Sequence, residues 1–367
     1  MSKKKILSVV GARPNFMKVA PLHRALSQCD EFEHVICHTG QHYDKNMSDT
    51  FFADLDMPRP KYFLGVGSGS HAEQTAKIMV EFEKIILDYQ PDLVIVVGDV
   101  NSTIACTLTA AKCGIKTAHV EAGLRSFDKS MPEELNRIAT DAIADYYFVT
   151  EQSGIDHLHS AGADDERMFF VGNTMIDSLH YALPFAEKSD ILNKLGLKSK
   201  EYALITIHRP SNVDDEINLK SMLEVLDYLT KYRTVVFPVH PRTRNNINRF
   251  NLKQFADNDK IKLIEPQGYV NFLALMKNSD FVLTDSGGIQ EETTALGIPC
   301  LTARTTTERP STITIGTNIL IPPSKDSIIK AIDNIMTNPR KVGGVPPLWD
   351  GKAAERIANV LKFKVFV

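Results

Sequence analysis

A short run of apolar residues, a polar corner and a longer amphipathic stretch recur along this chain. "LVIVVGDVNSTIACTLTAAK", residues 93–112, contains the whole unit. Its first five residues are apolar without alternation, so the strand they form is covered on both faces. That pattern belongs to a parallel sheet with helices packed on each side. Strands are expected at 4–10, 33–38, 93–98, 117–121, 146–149 and 168–171. A second series follows at 202–208, 233–239, 261–264, 280–284, 298–301 and 318–321. Helices are expected near 15–28, 71–89, 101–112, 132–144 and 151–160, then 214–230, 242–254, 269–277, 286–296 and 324–336. The fold class is α/β, with two Rossmann-like doubly wound domains facing a cleft. The 367 residues suffice for roughly two such domains. The expected division is 1–175, 176–350 and a C-terminal stretch, 351–367, whose helix packs back on the first domain. The polar segment "EKSDILNKLGLKSKEY" marks the boundary region.

The net charge of −3 provides no broad basic field, so nucleic acid is not an expected partner. The five cysteines, Cys29, Cys37, Cys106, Cys113 and Cys300, are scattered and form no C-x-x-C pair, which fits a reducing compartment. Three early lysines precede "ILSVV", an apolar run too short for a signal peptide. No run nears the ~20 apolar residues of a membrane helix. The expected location is cytoplasmic, with no membrane partner.

Ligands in doubly wound folds bind beyond the carboxyl ends of the strands, so the residues there matter most. After the first strand, "GARPNFMK" places Gly11 at a tight turn and brings Arg13 and Lys18 into a helix start. Cations at such a place suit a diphosphate. A Walker A loop is absent. "GVGSGS" (65–70) has G-x-G-x-G spacing and reads as a loop, not a nicotinamide site. In "VVGDVNST", Asp99 is either a helix cap or a chemical group. "HVEAGLRSFDKSMPEELNR" (119–137) is densest: Glu121 follows a strand, and Arg125, Asp128, Glu133, Glu134 and Arg137 come after it. Pro132 at a helix start puts Glu133 and Glu134 in the first turn, where the helix dipole explains one of them. The remaining carboxylates indicate acid–base chemistry. Two later strands end in His208-Arg209-Pro210 and His240-Pro241-Arg242, an anion-facing wall. "DSGGIQEE" (285–292) places Ser286, Gly287 and Gly288 before a helix, where backbone N–H groups meet an anion, with two glutamates in its first turn. His38 and His42 flank Thr-Gly-Gln, a turn, and no cluster has zinc spacing; no metal and no cofactor are expected. No G-x-S-x-G elbow occurs.

With these stretches together, the chain resembles the non-hydrolysing UDP-N-acetylglucosamine 2-epimerase family. The likeness rests on "GARPNFMKVAPL", "TGQHYD", "GDVNST", "HVEAGLRSFD…MPEELNR", "VGNTMIDSL", "HRPSN", "HPRTR" and "LTDSGGIQEETTALGIPC…TTERP", in order over nearly the whole length. It implies a glycosyltransferase-B-like fold and reversible epimerisation at carbon 2 of the sugar. UDP is eliminated to leave a 2-acetamidoglucal and then adds back. It implies that Ser286, Gly287 and Gly288 meet the diphosphate, that Glu292 takes the ribose hydroxyls and that Phe272 lies by the uracil. Arg13 and His240 would face the diphosphate. The family's acids match Asp99, Glu121 and Glu133; its active-site histidine matches His208, and its N-terminal lysine matches Lys18. We expect Glu121 and Asp99 to act at carbon 2, with Glu133 and His208 positioning or relaying. The partners implied are a UDP-sugar and a second copy in a homodimer, and the implied role is cell-envelope polysaccharide biosynthesis.

Some positions depart from the family's pattern. Ala12 stands where Thr is commoner, and Asn15-Phe16-Met17 replaces a more usual Glu-Ala-Ile. Tyr43-Asp44 stands where many bacterial members carry a glutamine of an allosteric substrate site. Competing readings are a relative acting on UDP-2,3-diacetamido-glucuronate, a hydrolysing epimerase, a B-fold glycosyltransferase and a non-catalytic nucleotide-sugar sensor. The carboxylate-rich segment is unexplained by a glycosyltransferase. "TTERP" favours the N-acetylglucosamine enzymes.

Overall fold

The computed structural model describes residues 2–40, 54–256 and 258–366. His42, Tyr43 and Asp44 lie outside them. The chain divides into two units: Met1–Tyr181 with Pro347–Val367, and Ala182–Pro346.

The first unit holds strands β1 (Lys4–Val10), β2 (Phe32–His38), β3 (Tyr62–Phe63), β4 (Leu93–Val97), β5 (Lys116–Ala122), β6 (Tyr146–Val149) and β7 (Met168–Phe170). They form one sheet in the order β3-β2-β1-β4-β5-β6-β7. Every described pairing in it is parallel. Its longer helices are α1 (Arg13–Ser27), α2 (His71–Tyr89), α3 (Asn101–Lys112), α4 (Pro132–Ile143) and α5 (Gln152–Ser160), followed by α6 (Thr174–Ala186). The four-residue steps of α2 bury Gln74, Ile78, Phe82 and Ile86 along one stripe. That stripe packs with Leu7, Val9, Val94 and Val96 into a common core. Each apolar side chain of the stripe, Ile78, Phe82 and Ile86, stabilises by about 1.5–3 kcal/mol when fully buried. The "GVGSGS" loop ends in Ser70, which caps α2 in a capping box with Glu73.

The second unit holds β8 (Tyr202–Thr206), β9 (Thr234–Pro238), β10 (Ile261–Ile264), β11 (Phe281–Thr284), β12 (Cys300–Ala303) and β13 (Asn318–Ile321). Their order is β10-β9-β8-β11-β12-β13, again parallel in each described pairing. Its longer helices are α7 (Glu216–Leu229), α8 (Pro241–Arg249), α9 (Tyr269–Asn278), α10 (Gly287–Ala295) and α11 (Lys325–Thr337). Leu223 and Leu226 of α7 and Ile328 and Ile332 of α11 close the core over Ile205, Val235 and Leu283.

The last helix, α12 (Ala353–Val360), belongs to the first unit. The Asp177 carboxylate accepts the Ala353 and Ala354 N–H groups at 3.0 and 2.7 Å. Buried Trp349 donates to the Thr150 carbonyl at 3.0 Å. Helix α6 was not anticipated: "TMIDSLHYALPFA" is apolar around most of its circumference and contains Pro184, so it shows no one-sided stripe. The unit boundary falls inside it. Among the described residues no helix is long and apolar enough to cross a membrane.

At the end of β2, His38 is 1% exposed and its Nδ1 accepts the Gly40 N–H at 2.7 Å. Burial pushes its pKa down to about 4 from 6.5, against a smaller opposing hydrogen-bond effect. The folded value lies below the unfolded one, so the unfolded chain takes up the proton first. Unfolding free energy is therefore expected to fall as pH drops from 6.5 towards about 4, by up to ~1.4 kcal/mol per pH unit from this group. Urea unfolding across that range checks it, and the slope should shrink in His38→Gln.

Candidate functional site

In the first unit the strand order reverses at β1, with β2 on one side and β4 on the other, and such a switch point opens a crevice at the strands' carboxyl ends. Gly11 sits there because a Cβ would lie 2.1 Å from Ser102 Oγ. Asn15 ties the turn down: its Oδ1 accepts the Gly11 and Ala12 N–H groups at 3.0 and 2.9 Å, and its Nδ2 donates to the Val97 carbonyl at 3.1 Å. Arg13 opens α1; its side chain lies outside the described residues.

Lys18 reaches from α1 to form an ion pair with Glu121, both about 5% exposed. Gly98 lies beneath at φ 67°, and a Cβ there would be 2.8 Å from Lys18 Nζ. Glu121 does not follow the strand, as the sequence suggested, but lies inside β5. The pairing with β6 shifts register between Val120 and Ala122, and Glu121 has φ 74°. This bulge re-aims one side chain without ending the strand. A non-glycine residue at such a φ stores about 1–3 kcal/mol of strain.

Asp99 follows β4. Val100, not Asp99, is the N-cap of α3, which removes the capping explanation. The Asp99 carboxylate meets Arg137 Nη1 at 2.5 Å, and its carbonyl accepts from Asn136 Nδ2 at 2.9 Å. Glu133 and Glu134 both sit in the first turn of α4, but differently. Glu134 is buried and accepts from Arg137 Nε at 2.9 Å and from the Ser126 and Phe127 N–H groups at 3.0 Å. Burial alone would raise its pKa, but these donors hold it below the ordinary value. Glu133 is exposed. One acid thus anchors the preceding loop and its neighbour is left towards solvent.

Behind them, His119 contacts Asp141 at 2.6 Å through Nδ1 and the Gly98 carbonyl at 2.9 Å through Nε2. Asp141 also takes Arg125 Nη1 at 2.6 Å and the Gly123 N–H at 3.1 Å. Desolvation opposes its ionisation, yet His119 and Arg125 bring its pKa below the usual range.

In the second unit the order reverses at β8, between β9 and β11. Asp285, fully buried after β11, is the hub. It accepts the His208 and Arg209 N–H groups at 3.0 and 2.9 Å and Asn212 Nδ2 at 2.9 Å. His208 Nδ1 lies 3.0 Å from its other oxygen. These contacts draw the backbone out of the ladder, so β8 ends at Thr206 rather than at His208. Against the cost of burial, they lower the Asp285 pKa. His240, at the end of neighbouring β9, caps α8, its Nδ1 accepting the Arg242 N–H at 3.3 Å. Both histidines are exposed.

Ser286 is the N-cap of α10 and Gly287 its first residue, so Glu291 and Glu292 lie in the second turn, not the first. Glu292 is buried, and Tyr269 Oη donates to it at 2.8 Å. Burial and this carboxylate push the tyrosine pKa well up, so it remains a donor. Phe272, three residues on in α9, is half-buried. A Cβ on Gly287 would lie 2.8 Å from Glu308 Oε1 and 3.1 Å from Arg309 Nη1. Its missing side chain therefore makes room for the protein's own ion pairs. Glu308 pairs with Arg309 and, at 2.9 Å, with Arg304; Arg309 Nε meets Glu291 at 2.8 Å.

A sequence model of UDP-N-acetylglucosamine 2-epimerase matches residues 24–362. The chain is also 43% identical over 366 residues to the UDP-N-acetylglucosamine 2-epimerase of Methanocaldococcus jannaschii, covering 98% of this chain and 99% of that protein. The chain belongs to the UDP-N-acetylglucosamine 2-epimerase family. The crystal structure of the M. jannaschii UDP-GlcNAc 2-epimerase in complex with UDP-GlcNAc and UDP has a TM-score of 0.90 at 41% identity, covering 98% of this chain and 99% of that one. A Pseudomonas aeruginosa relative named UDP-2,3-diacetamido-2,3-dideoxy-D-glucuronate 2-epimerase is 39% identical over 366 residues, covering 97% of this chain and 99% of that protein. The α/β class and Rossmann-like sheets expected from sequence are those of this family.

Within each unit of this epimerase-family chain, the expected residues gather at strand ends. Asp99, Lys18 and Glu121 do so around β1, β4 and β5, and His208, His240 and Ser286 around β8, β9 and β11. The sequence did not reveal Asp285, Asp141, Tyr269 or the Glu308–Arg309 pair as organising groups. An aspartate directly after an apolar strand, as in "FVLTD", was the available signal for Asp285. Among the described residues no group of three or more His, Cys, Asp or Glu is placed to hold a metal.

Removing one partner of a buried ion pair leaves the other uncompensated. Lys18→Met is expected to lower unfolding free energy by about 3–5 kcal/mol in urea titrations. Adding Glu121→Gln should recover most of the loss.

Proposed function

We propose that this protein interconverts UDP-N-acetylglucosamine and UDP-N-acetylmannosamine by inverting carbon 2 of the sugar. The carbon-2 proton leaves, the bond from carbon 1 to the diphosphate oxygen breaks, and UDP and 2-acetamidoglucal result. Re-addition of UDP with a proton delivered to the opposite face completes the inversion. One position cannot serve both faces, so two acid–base groups are required.

The observation that carries this reading is a pair of carboxylates at the ends of neighbouring strands, each held by a buried cation. Glu121 on β5 is paired with Lys18, and Asp99 after β4 with Arg137. In this reading Glu121 and Asp99 act at carbon 2, and exposed Glu133 and His208 position or relay. Ser286, Gly287 and Gly288 at the start of α10 receive the diphosphate, with Arg13 and His240 as further anion contacts. Glu292 takes the ribose and Phe272 lies by the uracil. Neither cofactor nor metal takes part. The reading includes a homodimer in the cytoplasm that supplies cell-envelope polysaccharide synthesis.

Proton NMR of UDP-N-acetylglucosamine with the protein in deuterated water tests it. Deuterium at carbon 2 and a steady mixture of two UDP-sugars are expected. Accumulating free UDP and N-acetylmannosamine would make the enzyme hydrolysing, and no exchange would remove this substrate. Glu121→Gln should slow the exchange by about 10²–10⁴-fold; full exchange in that variant would take Glu121 out of the chemistry.

A further inference from the structure

His119 is completely buried on β5, and both of its ring nitrogens face groups that only accept hydrogen bonds. Nδ1 lies 2.6 Å from Asp141 Oδ1, and Nε2 lies 2.9 Å from the Gly98 carbonyl oxygen. A neutral imidazole carries one N–H, so one contact would then set a lone pair against a lone pair, with no solvent to intervene. Asp141 is not the donor: the Arg125 guanidinium lies 2.6 Å from its other oxygen, which also accepts the Gly123 N–H, and a carboxyl paired with a guanidinium in this way is held ionised. The ring therefore donates twice.

The charges around it agree. The groups facing this corner are Asp141, Glu134 and Arg137 of α4, Lys18 of α1, Glu121 of β5, Asp99 after β4 and Arg125 after β5. Asp141 stands between His119 and the Arg125 guanidinium, as Arg137 stands between the Asp99 and Glu134 carboxylates, so cations and anions alternate through this buried corner.

The ring also holds the residue on which the site turns. The Gly98 N–H donates to the Val120 carbonyl at 3.1 Å and its carbonyl accepts from His119, so Gly98 is fixed on both sides at φ 67°. Asp99 is the next residue, Lys18 Nζ lies over Gly98, and Glu121 is two residues beyond His119 on the bulged strand. We propose that His119 is a positioning residue, a buried imidazolium that fixes the Gly98–Asp99 turn and the Glu121 bulge relative to each other.

The charge state is tested on the wild-type protein without substrate. With ¹⁵N-labelled histidine, NMR at pH 7–8 should show two ring N–H protons connected to the His119 Cβ protons. An unprotonated ring nitrogen would overturn the proposal, and this measurement stands whatever the fate of any variant. The positioning role rests on the epimerase reading and is tested with His119→Gln, whose amide can donate to one side only. A displaced acid–base pair should lower kcat for carbon-2 exchange about 10–100-fold, with KM for the UDP-sugar within a few-fold. Unchanged kcat in a folded variant would overturn the role. Wild-type protein lacking exchange would overturn the substrate reading and the kinetic role together, while the ring protons would still decide the charge state.

Discussion

The ion pair between Lys18 and Glu121 sets the terms for the first unit's strand ends. A carboxylate 4% exposed needs a counter-charge close by, and α1 supplies it. The ammonium then occupies the place of a side chain at position 98, so that position is glycine, in a left-handed conformation. Glu121 reaches the ammonium only from a bulge with φ 74°, itself a strained choice for a glutamate. Three sequence positions far apart are thus bound to one electrostatic requirement. Strain of this kind persists where the surroundings over-determine it, and the Val120, His119 and Gly98 contacts do so here.

The second unit meets the same requirement with other residues. Asp285 is buried after β11 and is satisfied by backbone N–H groups of His208 and Arg209, by Asn212 and by the His208 ring. A hydrogen-bonded carboxylate can therefore join the ends of two adjacent strands, β8 and β11, across the point where the sheet's order reverses. The side chain of His208 is oriented by this buried anion while half its surface stays open. In both units an apolar sheet supplies the frame, and a buried carboxylate decides where the polar side chains point.

Legibility followed from periodicity. Strands such as Leu93–Val97 and helices such as His71–Tyr89 were readable because wholly apolar runs and four-residue stripes are local signals. Helix α6 was not, because an almost uniformly apolar helix has no period to detect. Asp99, Glu121 and His208 stood out as charges at strand ends, and Lys18 as a cation carried into the first helix. Their partners did not. That Glu134 rather than Glu133 is buried depends on which side of α4 meets the 126–127 backbone, and that Asp141 serves His119 depends on strand and helix packing. Pairings between residues distant in sequence are written in three dimensions.

The glycines of "SGG" show how a local motif can carry two constraints at once. Helix N-termini favour anions, and a glycine there suggests a close-approaching ligand. At Gly287 the space is already claimed by Glu308 and Arg309. Those two belong to a buried chain of alternating charges, Arg304, Glu308, Arg309 and Glu291, and the last of these is in α10 itself. The dipole and N–H groups of α10 favour an anion at the helix start, and the ion-pair network stands behind them. Its contribution is rigidity: the helix is pinned through Glu291 one turn inside its N-terminus, which fixes where those N–H groups point. A side chain at 287 would break that pin before it ever met a phosphate.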